Sequence, residues 1–140
     1  MGISITTHLM LGIVLGEDFP AKLAVSEDED FPDFDDWIIK TMDPDDSTVS
    51  ATGGVDYKAR RQLIETYPYD ITYLTSSDYP IYVLFFRDSH QTRSWGSDPT
   101  PLDMTKFEGV YHTDALQLFC EQNGIDYQEP KWIMGADYSY

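Results

Sequence analysis

The chain has one cysteine, few bases and no long apolar run, and each shortage excludes something. Cys120 alone cannot close an internal disulfide, so nothing points to an oxidising compartment and the cytoplasm is the expected location. Nine Lys and Arg stand against 25 Asp and Glu, a formal charge of −16. Phosphate recognition needs cations that displace counterions, so direct nucleic-acid binding is not expected, and neither is an anionic membrane surface. The apolar stretch Leu9 to Leu15 is too short to cross a bilayer and lacks the basic flank of a signal peptide. Residues Met1 to Thr6 fit a loose myristoylation pattern, yet they alternate as a strand whose end would have to leave its sheet, and lipidation is not expected.

What is present is enough apolar material for one core. The 140 residues are 41% hydrophobic and include ten Tyr, seven Phe and three Trp, which suits a single compact domain over residues 1–140. Ile3, Ile5, Leu9, Leu11, Ile13 and Leu15 share one parity, as in a long strand with one buried face, and His8 falls on the opposite face. From Pro32 to Met42 the period becomes helical, with Phe34, Trp37, Ile38 and Met42 on one side. A polar loop over 47–55, expected to be mobile, follows Asp43-Pro44-Asp45-Asp46. Tyr57, Leu63, Ile64 and Tyr67 mark a second helix that stops before Pro68.

Tyr69 to Thr75 and Ile81 to Arg87 read as an antiparallel hairpin, and the second strand, apolar on both parities, reads as central. Ser89 to Pro101 has no sustained period and reads as a long irregular loop containing Trp95, an interface anchor if exposed. A third helix starts near Thr113, carries Ala115, Leu116, Phe119 and Cys120 on one face, and ends at Asn123-Gly124-Ile125 in a Schellman turn. Lys131 to Met134 forms a last short strand before a polar, Tyr-rich end. The expected fold is α+β, a mostly antiparallel sheet of about four strands with about three helices packed on it.

The dominant feature is acidic. Between Glu17 and Asp46 twelve carboxylates face only Lys22 and Lys40, and segment 26–46 interleaves acids with aromatics. Glu27, Asp28, Glu29, Asp30, Asp33, Asp35 and Asp36 supply charge there, with Phe31 and Trp37 as candidate anchors. Part of this is helix physics, since carboxylates in a first turn interact favourably with the dipole by about 0.3–1 kcal/mol each. Calcium is not expected, because the central Gly and terminal Glu of an EF-hand loop are missing. Solvation alone would also use such a run.

The functional expectation is a small acidic protein-binding module, without enzymatic activity, cofactor or metal, that grips a basic protein. In its sharper form it mimics nucleic-acid charge and blocks a nucleic-acid-binding host protein, as a phage- or mobile-element-type inhibitor would. Lys58, Arg60 and Arg61 would have to stay clear of such a face. Oligomeric state and partner identity are not legible.

Catalytic patterns are thin. His90-Gln91-Thr92 resembles the His-x-Thr motif of the two-histidine phosphoesterases over three residues, but that family needs two motifs. His8-Leu9-Met10 and His112-Thr113-Asp114 lack the hydroxyl at the required place. Asp88, Ser89 and His90 are adjacent, which is poor geometry for a triad. No histidine pair has zinc-ligand spacing, and Cys120 sits on an apolar helix face as a packing residue. Arg60 lies within the apolar arc of its helix and must snorkel, pair or bind an anion. The alternatives are therefore a small phosphate-binding or hydrolytic enzyme centred on His90 and Arg60, or a structural subunit of a larger assembly.

Overall fold

A computed structural model describes residues 4–25, 33–96 and 98–139. Eight elements make an α+β fold in which five strands form one mostly antiparallel sheet: β1 (Ser4–Gly16), α1 (Phe34–Met42), α2 (Tyr57–Thr66), β2 (Tyr69–Ser76), β3 (Pro80–Phe86), β4 (Gln91–Ser94), α3 (Thr113–Gln122) and β5 (Lys131–Ser139). No helix among the described residues is long and apolar enough to cross a membrane.

β1 organises the sheet because it is long enough to serve three partners. One edge pairs with β5 over Ser4–Gly12, and the other pairs with β4 over Thr6–Leu9 and then with β3 over Gly12–Gly16. β2 joins β3 antiparallel and touches β5 in parallel at Thr75 and Ser76. The pairings β1–β3, β3–β2, β2–β5 and β5–β1 thus close a ring of four strands, with β4 outside it on the edge of β1. Met10, Leu74, Val83 and Phe85 fill one face of this ring together with Ile133. The opposite face carries the main core, where Ile13, Ile71, Leu84 and Phe86 meet Phe34, Ile38, Leu116 and Phe119 from the helices. β3 is therefore buried on both faces, as its double-parity sequence predicts.

Two glycines make the ring possible. Gly12 lies opposite Phe85, and a Cβ there would collide with the Leu84 carbonyl oxygen. Gly135 lies opposite His8, and a Cβ there would sit 2.5 Å from Leu74 Cδ1. In both places a side chain is absent so that a neighbour can occupy its space.

The helix boundaries follow local chemistry. Asp33 caps α1, its Oδ1 accepting from Asp35 N–H at 3.0 Å, and Asp56 caps α2 through Ala59 N–H. α3 ends as its sequence predicts: Gly124 takes φ +68° and Ile125 N–H donates to Cys120 C=O at 2.9 Å. Its N-cap is His112 rather than Thr113, one residue earlier than expected. Apolar residues at the helix ends are looser than the wheels suggest, since Met42, Tyr57 and Ala115 are exposed.

Three expectations about strands are corrected. The sheet has five strands rather than about four, and β4 lies inside the segment read as an irregular loop. The reason is Ser89: after a short 3₁₀ turn at Arg87–Ser89, its hydroxyl donates to Phe86 C=O and accepts from Leu11 N–H. That side chain stands in for the missing ladder bond and lets the chain resume beside β1. β5 also runs five residues beyond Met134, because β1 offers paired partners as far as Ser4 and outweighs the polar composition of the tail.

Candidate functional site

Asp33, Asp35 and Asp36 cluster at the N-terminal end of α1, Asp33 and Asp36 exposed and Asp35 half-buried. Burial raises the Asp35 carboxyl above its ordinary range, and Asp33 and Asp36 add to the rise against Arg87 and Arg61. Asp36 is raised in the same way, by burial and then by Asp33. Asp70 on β2 joins the same negative field. Burial lifts it to about 6, opposed by Arg87 and reinforced by Asp35 and Asp33. Glu27, Asp28, Glu29, Asp30 and Phe31 lie outside the described residues.

Trp37 is committed mainly to packing. Its ring lies 5.3 Å from Phe34 and meets Tyr67 and Phe119 edge-on at 5.7 and 5.8 Å, so only the remaining exposed edge is available to a partner. Trp95, by contrast, is 77% exposed in the turn after β4, anchored through its N–H to Ile5 C=O.

The basic residues of α2 do not keep away from the acids. Lys58, Arg60 and Arg61 line a cleft of about 610 Å3 with Asp35, Asp36 and Arg87. Arg60 is oriented by the loop between α1 and α2: buried Asp43 accepts from Ser47 and Thr48 through both main-chain N–H and hydroxyl, and Thr48 Oγ1 then accepts from Arg60 Nε at 3.0 Å. Those bonds hold the Asp43 carboxyl well below the usual carboxylate range. Arg87 closes the cleft, donating to Tyr67 C=O and Tyr69 C=O and pairing with Asp70 at 3.4 Å.

A second constellation lies across the sheet. His8 Nδ1 is 2.8 Å from His90 Nε2, and His8 Nε2 is 2.5 Å from Asp137 Oδ2. The two imidazole planes are within 5° of parallel, and Phe85 packs on His90 with ring centroids 4.7 Å apart. A carboxylate only accepts, so His8 Nε2 carries hydrogen, and in neutral His8 the Nδ1 accepts from His90 Nε2–H. Burial first, then His8, Arg87 and Lys106, lower the His90 pKa to about 4, which keeps this ring neutral at pH 7.

The relay was partly legible. Its two histidines are visible in the sequence, and His8 falls on the predicted face, but Asp137 sits in the polar, Tyr-rich end beyond the expected last strand. Both His8 nitrogens are used within the relay, and among the described residues no group of three His, Cys, Asp or Glu is placed to hold a metal. Met10, fully buried, stands two residues after His8 where a second His-x-Thr motif would have its hydroxyl. Among the described residues Arg60 and His90 share no hydrogen-bond partner: one belongs to the helix cleft, the other to the relay. Cys120 is buried in the main core and its thiol is pushed up to about 11 by burial, a packing residue rather than a nucleophile.

No protein-family model, curated protein or solved structure matches this chain.

Proposed function

We propose that this protein is a non-enzymatic module that binds a basic protein surface through the acidic end of α1, with Asp33, Asp35 and Asp36 at its centre; Glu27, Asp28, Glu29, Asp30 and Phe31, which precede them in the sequence, belong to the same proposal. The observation that carries this reading is the clustering of Asp33, Asp35, Asp36 and Asp70, where burial first and then repulsion from neighbouring acids raises Asp35, Asp36 and Asp70 although Arg60, Arg61 and Arg87 oppose the rise in part. A partner's Lys or Arg placed there would relieve it and favour the ionised acids. The net charge of −16 would steer such a partner from a distance.

Charge mimicry of nucleic acid, as in a phage- or mobile-element-type inhibitor, is the narrower form of the same proposal. The bases of α2 interrupt the negative surface on the cleft side, so a mimetic face would have to run from Asp33 and Asp36 away from Arg60 and Arg61. The test is a pull-down from the native source, eluted by rising salt. A basic nucleic-acid-binding protein that is released by salt and displaced by DNA or RNA supports mimicry. A basic partner indifferent to nucleic acid supports only the broader reading, and capture unaffected by salt overturns both.

One observation favours a second reading, hydrolysis or phosphate binding: the Asp137–His8–His90 relay has the order of groups that general acid–base chemistry uses. Arg60 would then act in a separate cleft.

A further inference from the structure

One atom of the Asp137–His8–His90 relay is unused. Asp137 Oδ2 accepts from His8 Nε2–H, and His8, only 6% exposed, has its other nitrogen on His90. His90 is half-buried, its Nε2 lies against His8, and its Nδ1 makes no hydrogen bond among the described residues. With hydrogen on Nε2 of both neutral rings, that Nδ1 holds a lone pair open to a proton. Register brings the groups together: Gly135 lies opposite His8 on β5, and Asp137, two residues on, shares its face.

An added proton has two places to rest. On His90 its charge is opposed by burial first, then by His8, Arg87 and Lys106, while Phe85, packed on the ring with centroids 4.7 Å apart, brings no countercharge. On His8 the charge meets the Asp137 carboxylate at 2.5 Å, and a buried charge persists only beside such a partner. The two ring nitrogens are 2.8 Å apart, within reach for the hydrogen between them to change sides.

We propose that these three residues relay a proton from solvent, with His90 Nδ1 as the atom that takes it up and His8 as the ring that keeps the charge. As Nδ1 gains the proton, His90 Nε2 passes its own hydrogen to His8 Nδ1. His8 becomes an imidazolium against ionised Asp137, and His90 is left neutral with its hydrogen on Nδ1. Under the hydrolytic reading the same Nδ1 is the base that would meet a substrate; the relay rests on that reading's three residues but not on hydrolysis, and it does not involve the α1 acids.

The test is a pH titration of the full chain carrying isotope-labelled histidine, followed by long-range proton–nitrogen NMR, which reads the hydrogen on each ring nitrogen separately. Single His8→Gln, His90→Gln and His112→Gln variants assign the three rings. At about pH 8 both relay rings are expected to be neutral with hydrogen on Nε2. On acidification His8 should become the imidazolium first. At the same midpoint the His90 hydrogen should move from Nε2 to Nδ1, and that ring should stay neutral until about pH 4. Asp137→Asn should lower the His8 midpoint by about one pH unit, a proton affinity about 10-fold weaker. Should that variant fail to fold, the tautomers of the unaltered chain decide. Imidazolium formation at His90 before His8, hydrogen on His90 Nδ1 already at about pH 8, or an unchanged His90 tautomer as His8 charges would each overturn the proposal. The titration needs no substrate, so a relay that behaves as stated in a chain without hydrolytic activity removes the hydrolytic reading and leaves the relay standing.

Discussion

His8 and His90, 82 residues apart in the chain, share a 2.8 Å hydrogen bond that ties β1 to the junction of β3 and β4. Asp137, on the other side of His8, brings β5 into the same contact. Three separately paired segments thus meet through one imidazole whose two nitrogens are both occupied.

Replacing Asp137 by Asn removes the charged acceptor of His8 Nε2–H. A loss of about 1–3 kcal/mol of stability is expected, read as a lower urea midpoint at unchanged slope. An unchanged midpoint would mean that the bond is exchanged for water at no cost.

The pH dependence of stability should show two opposed contributions. His90 has a folded pKa of about 4 against an ordinary 6.5, so between these values the unfolded chain takes up a proton that the folded chain refuses. Stability falls as pH drops through that window. Asp70 runs the other way: with a folded pKa of about 6 against 3.8, the folded chain holds the extra proton, and stability rises as pH falls between those values. His90→Gln should flatten the acid-side loss, whereas Asp70→Asn should steepen it, both measured by thermal melts at a series of pH values.

The triple variant Asp33→Asn, Asp35→Asn, Asp36→Asn should lose partner binding and its salt dependence without losing stability. Asn caps a helix about as well as Asp, and removal of mutually repelling charges offsets the lost dipole interaction. Undiminished binding by a folded triple variant would dismiss the acidic end of α1 as the contact surface.

Gly12→Ala should be among the most damaging single-methyl additions, because its Cβ meets the Leu84 carbonyl oxygen, a backbone atom that cannot rotate away. Gly135→Ala meets only the end of the Leu74 side chain and should cost less, about 1–3 kcal/mol. Comparable melting temperatures for the two variants would contradict the closed ring as the source of the constraint.

Much of this protein follows from local rules. The positions of α1, α2 and α3, the Schellman end at Gly124, the β2–β3 hairpin and the double burial of β3 are all set by side-chain period, capping chemistry and proline, which act within a few residues. The clustering of Asp33, Asp35 and Asp36 likewise needs only a helix start. What lies beyond local rules depends on pairing between distant segments. β4 exists because the Ser89 hydroxyl substitutes for a ladder bond, β5 extends because β1 remains free to pair with it, and the ring closes because Gly12 and Gly135 leave room for Leu84 and Leu74. The His8–His90–Asp137 relay is a consequence of those pairings. A strand's alternation says which face a histidine takes, but the partner across the sheet is decided by register, and register is a property of the assembled sheet.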